Sequence, residues 1–176
     1  MASAKGIAIM AAIVVGVVGA SMFIWFGPQG QPNDASFGED VTANNINSFL
    51  PEYALGLIYT KHHNLDAEVQ LDYDKWKGGD LDSSRMLRTI DDAKADVAQM
   101  RGAFDAATPP EEWKESFDHY AAALASYSSY LGEMEELVRD GDKNADETAL
   151  EQYHQESDDH VELATSAFPV DPLNTS

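Results

Sequence analysis

Between Trp113 and Val138 the large apolar residues return at steps of four and three: Trp113, Phe117, Tyr120, Leu124, Tyr127, Leu131, Met134, Val138. That spacing marks the seam of a helix packed against other helices. Thr108-Pro109-Pro110-Glu111 reads as its start, with Thr108 as cap and Glu111 reaching back as in a capping box. Asp140-Gly141 reads as its end.

Three more segments carry the same period. Leu55, Ile58, His62, Leu65, Val69, Tyr73 and Trp76 line a helix from about 48 to 77, with Pro51 in its first turn and Gly78-Gly79 after it. Met86, Ile90, Ala93, Val97, Met100 and Phe104 line a second, capped by Asp82 or Ser83. Leu150, Tyr153, Ser157, His160, Ala164 and Phe168 line a last and weaker one, starting near Asp146 and stopped by Pro169. Short loops between four amphipathic helices make sequential neighbours antiparallel. The expected fold is all-α, an up-down-up-down four-helix bundle over residues 46–168 with a tail at 169–176.

Ahead of the bundle the pattern changes. Residues 6–26 hold no charge and form about 20 apolar positions, enough for one bilayer crossing at 1.5 Å per residue. Lys5 precedes this transmembrane helix, and Phe23, Trp25 and Phe26 stand where it would leave the membrane. The positive-inside rule then places residues 1–5 in the cytoplasm and the C-terminal domain outside, in a single-pass arrangement. A secretory signal cleaved after Ala20 is an alternative, but it leaves an exposed apolar start at Met22-Phe23-Ile24-Trp25-Phe26. Ala8, Ala12, Gly16 and Ala20 form a small-residue stripe, the kind of surface that lets membrane helices associate. Residues 27–45, rich in Gly, Pro, Gln, Asn and Asp, read as a flexible linker.

Charge sharpens the reading. The net charge is −20, and every acidic residue lies after residue 32. Such a surface repels nucleic acid and anionic headgroups and suits cations or basic partners. The absence of cysteine excludes disulfides, thiolate metal sites and a cysteine nucleophile.

Two constellations are candidate metal sites. Asp140, Asp142, Asn144, Thr148 and Glu151 occupy positions one, three, five, nine and twelve of a calcium-type loop, although Ala145 stands where the sharp turn demands glycine. Its plainer reading is an acidic loop that closes one helix and caps the next. His62 and His160 fall at the same height on neighbouring helices, with Asp66 and Glu156 one turn away, a set that can hold a transition metal. Its plainer reading is a hydrogen-bonded polar layer. Glu151-Gln152-Tyr153-His154 is a single Glu-x-x-His, where a di-iron bundle needs two. His119 is expected on the outer face of its helix. No nucleophile–base set, P-loop or dinucleotide fingerprint is present, so no catalysis and no obligate cofactor is expected.

Thr108-Pro-Pro-Glu-Glu-Trp-Lys-Glu-Ser-Phe-Asp-His-Tyr resembles the hairpin entry of small prokaryotic envelope helical-bundle proteins. The apolar anchor followed by Gly27-Pro-Gln-Gly-Gln-Pro is similar to archaeal single-pass surface proteins, and Lys5-Gly6-Ile7 resembles the processing site of archaeal pilin-like proteins. The resemblance implies an exported, non-enzymatic module that binds or assembles. Its partner would be a protein or a second copy, met through the membrane helix. The alternative is a metal-binding or metal-sensing module.

Overall fold

A computed structural model describes residues 40–169. The expected membrane helix at 6–26, its stripe of Ala8, Ala12, Gly16 and Ala20, most of the linker and nearly all of the tail lie outside the described residues. Within them the chain is all-helical, a four-helix bundle: α1 (Pro51–Gly78), α2 (Ser83–Ala106), α3 (Lys114–Asp140) and α4 (Thr148–Ser166), with short 3₁₀ turns at Ile46–Ser48 and Glu111–Trp113. No described helix is long and apolar enough to cross a membrane.

The helix ends follow local chemistry. Pro51 opens α1, where its missing N–H costs nothing. Gly79 closes it at φ 88°, and its N–H returns to the Lys75 and Trp76 carbonyls. The Asp82 side chain caps α2 by accepting from the Arg85 N–H at 2.9 Å. Gly141 ends α3 at φ 71°.

The start of α3 differs from expectation. Thr108 does not cap it. The Thr108 N–H and hydroxyl both donate to Asn47 Oδ1, at 2.7 and 3.1 Å, while Asn47 Nδ2 donates to the Ala106 carbonyl. Thr108 therefore ties the α2–α3 corner to the turn ahead of α1, and a 3₁₀ turn leads into α3 instead. The linker also ends earlier than expected. Val41 and Ile46 are buried in the core, with the Thr42 N–H bound to Asn45 Oδ1 between them.

The four stripes meet in one core. Ile58, Val69, Trp76, Met86, Ile90, Val97, Leu124, Tyr127, Leu131 and Met134 are all shielded from water, and each such side chain contributes about 1.5–3 kcal/mol by leaving it. The contacts pair successive helices in opposite directions. Asn47 meets Ala106 and Trp76 Nε1 donates to Ser83 Oγ at the two ends of α1–α2. Phe104 stacks on Tyr120 while Lys94 pairs with Glu135 along α2–α3. His119 meets His160 and Tyr130 meets His154 along α3–α4.

α3 and α4 come closest together. Small buried residues line their contact, namely Ser116, Ala123, Ser157 and Ala164. They leave so little space that Ser157 Oγ donates to the Ala123 backbone carbonyl at 3.0 Å. This explains why α4 holds with so thin an apolar stripe.

Candidate functional site

The candidate site is the polar layer inside the bundle, where α1, α3 and α4 face one another. Asp66 lies one turn beyond His62 on α1, and both turn inward. Tyr120, Tyr127 and Tyr130 come from the α3 seam, and His154 and Asp158 from the flank of the α4 stripe.

His62 is 6% exposed. Its Nδ1 shares a hydrogen bond with the Tyr120 hydroxyl at 3.3 Å, and its ring meets Tyr127 edge-on at 4.6 Å between centroids. Burial drives its pKa down to about 4, against the pull of the Asp66 charge, so the ring is neutral near neutral pH. Burial holds the Tyr120, Tyr127 and Tyr130 hydroxyls protonated well above the usual phenol range, and Asp66 pushes the last two further. The Tyr127 hydroxyl is fully buried and makes no hydrogen bond of ordinary geometry. The charge it feels most is the Asp66 carboxylate.

Asp66 is the acceptor at the centre. Gln70 Nε2 donates to its Oδ2 at 2.8 Å, and His154 Nε2 lies 3.1 Å from its Oδ1. Burial alone would raise the Asp66 pKa, but these bonds and the His154 charge bring it below the ordinary value. For His154, burial lowers the pKa, yet the Asp66 bond and charge, with Asp158 behind, lift it above the ordinary value. Asp158 approaches His154 Nδ1 at 3.7 Å, and burial raises its own pKa. His154 Nε2 also lies 2.9 Å from Gln70 Nε2. It can serve Asp66 only as a donor and Gln70 only as an acceptor. A ring that holds its proton selects Asp66.

This is a different constellation from the one expected. His62 and His160 are not paired. His62 turns to Tyr120 and Tyr127, whereas the His160 ring lies 5.7 Å from that of His119, with its Nδ1 buried and unpartnered. Glu156 accepts from Gln152 on its own helix. Among the described residues no group of three or more His, Asp or Glu side chains stands ready to hold a metal ion.

The acidic loop is likewise not gathered around a point. Asp142 Oδ1 accepts from the Asn144 N–H at 3.0 Å, and Asp146 Oδ1 takes the Thr148 N–H and hydroxyl at 3.0 and 2.6 Å. Asp140, Asp142, Asn144, Thr148 and Glu151 are all exposed. These carboxylates build a turn and a helix start, in keeping with the plainer reading of the loop.

Two residues that the pattern does not single out matter here. His154 stands just off the α4 stripe, beside Tyr153, where periodicity marks a flank. His119 is placed on an outer face by the α3 period, yet it is half-buried, with its ring against that of His160 on α4. Two shallow hollows lie at the α2–α3 corner, both lined in part by Glu111, Lys114 and Asp118. Neither adjoins a nucleophile–base pair. No known protein family, curated protein or solved structure matches this chain.

Proposed function

We propose that this protein is a membrane-anchored binding or assembly module without catalysis of its own. Residues 6–26 would hold it in the bilayer as a signal anchor, and the up-down-up-down bundle would stand outside the cell as an acidic surface for a protein partner or a second copy. One observation carries the reading. The described interior is filled with apolar and aromatic side chains, and His62 with Tyr120 and His154 with Asp66 tie much of its polar layer internally, which favours a role as surface over one as a reaction pocket. The charge of −20 favours a basic or cationic counterpart.

The test is carbonate washing of native membranes, followed by cross-linking and extraction in mild detergent. The proposal expects the chain to stay with the membrane and to migrate well above its own 19.2 kDa. Release by carbonate contradicts the anchor. Migration as a lone chain contradicts assembly.

A further inference from the structure

We propose that the outer face of α1 pairs in parallel with α1 of a second copy, through a charge-free stripe at Tyr53, Leu57, Thr60, Asn64, Ala67 and Leu71. The inference rests on the anchored reading above and names the partner as the same chain. The core line of α1 runs through Leu55, Ile58, His62, Val69 and Trp76. On the opposite side the stripe residues follow at steps of four and three, the spacing of a seam between two helices. Four large apolar side chains are exposed among the described residues. Tyr53 and Leu71, at 36% and 56%, stand at the two ends of the stripe, and Leu50 lies just ahead of it. Leu57 is half-buried, and Thr60, Asn64 and Ala67 are exposed. The other described helices interrupt their exposed sides with charge, at Arg88, Asp91 and Asp92 on α2, Asp118 and Glu136 on α3, and Glu151, Asp159 and Glu162 on α4.

Charge selects the occupant. Two chains of −20 repel one another over most of their surface, and the stripe lets two copies meet without setting carboxylate against carboxylate. In parallel register it also matches itself, as a two-fold contact requires. Tyr53, Thr60 and Ala67 take one set of heptad positions and Leu57, Asn64 and Leu71 the other, so Asn64 meets Asn64, and a buried amide of this kind fixes register in a helix seam. Direction follows from connectivity. The segment that holds the expected anchor leads into the head of α1, so two copies in one membrane run α1 the same way. The stripe is about 27 Å long and one helix wide, about 10 Å, well below the ~800 Å² per partner of a stable interface. Anchoring in a shared membrane raises the effective concentration and makes so small a contact sufficient.

The chain has no cysteine, so single-cysteine variants of the full chain report contact directly. In mild detergent with a mild oxidant, Thr60→Cys and Ala67→Cys should each form disulfide-linked dimers about tenfold faster than Ser129→Cys, which is exposed on α3. Adding Leu71→Glu to Thr60→Cys should slow that linkage about fivefold by placing like charges in the seam, with helical circular dichroism unchanged. Equal linkage at Thr60→Cys and Ser129→Cys overturns the proposal, even in a chain that carbonate leaves in the membrane. So does faster linkage between Tyr53→Cys and Leu71→Cys chains than within Thr60→Cys, the mark of antiparallel pairing. Selective linkage of Thr60→Cys in a chain that carbonate releases upholds the stripe and removes the anchor.

Discussion

The His154 imidazole on α4 donates across the bundle to the Asp66 carboxylate on α1, 3.1 Å away, with both side chains mostly withdrawn from water. Exposed ion pairs contribute about 0.2–1 kcal/mol, and removing one partner of a fully buried pair costs about 3–5. This pair lies between those limits. Asp66→Asn and His154→Gln should each cost about 1–2 kcal/mol in urea unfolding. A double-mutant cycle should return a coupling of about 1 kcal/mol. Additive losses would show that the two groups do not act on each other.

The same layer sets how stability depends on pH. The native His62 ring refuses a proton until about pH 4, whereas the unfolded chain accepts one near 6.5. Stability from this residue is therefore whole above 6.5 and is lost as pH falls toward 4, with a limiting slope of about 1.4 kcal/mol per pH unit. Asp66, with a lowered pKa, adds a loss in the same direction below its ordinary value. His154 runs the opposite way. Its contribution is whole below its unfolded pKa and is lost as pH rises through its raised native value. Asp158, also raised, loses stability as pH climbs through its own range. Urea midpoints from pH 4 to 8.5 should show His62→Gln flattening the acid limb and His154→Gln flattening the alkaline one.

Leu124 is fully buried at the middle of α3. Leu124→Ala should lower stability by about 2–5 kcal/mol, depending on how far the surrounding side chains close the gap. Chemical unfolding monitored by circular dichroism at 222 nm checks this. A loss under 1 kcal/mol would mean that the core is looser than described.

The loop from Asp140 to Glu151 gives a separate test of its role. With Asp146 committed to Thr148 and Asp142 to Asn144, the loop's carboxylates work as turn caps. Asp146→Ala should lower the melting temperature by the same amount in EDTA as in millimolar calcium. Calcium, copper and zinc should each leave the melting temperature of the wild-type chain unchanged, since a ion bound only by the folded form would raise it. A rise with calcium that Asp146→Ala abolishes would restore the calcium reading, and a rise with copper or zinc the histidine one.

The fold was legible because its signal is periodic. The stripe residues expected in the core, from Leu55 to Trp76, Met86 to Phe104 and Phe117 to Val138, are the ones withdrawn from water, with Leu65 only partly so. Helix ends read well where one residue decides them, as Asp82 and Gly141 do. Thr108 misled because its hydroxyl had a rival partner, Asn47, that is distant in sequence.

The site was half legible for a related reason. Rise per residue places His62 and His160 at nearly equal heights, and the observed pairing of Asp66 with His154 and Tyr73 with Glu147 agrees to within about one turn. Height does not fix direction around the helix axis. That depends on how closely α4 settles on α3, which the small residues Ser116, Ala123, Ser157 and Ala164 decide. α4 turns His160 toward His119 and leaves His154 to meet α1.

The central claim, that this chain works by association at a membrane, is tested most directly by the size of the full-length protein in mild detergent, wild type against Gly16→Ile. The account predicts that the wild-type chain sediments as part of a larger complex, and that the bulky residue in the small-residue stripe shifts it toward 19.2 kDa. A wild-type protein that sediments as a single chain, or a complex whose size Gly16→Ile leaves unchanged, would contradict it.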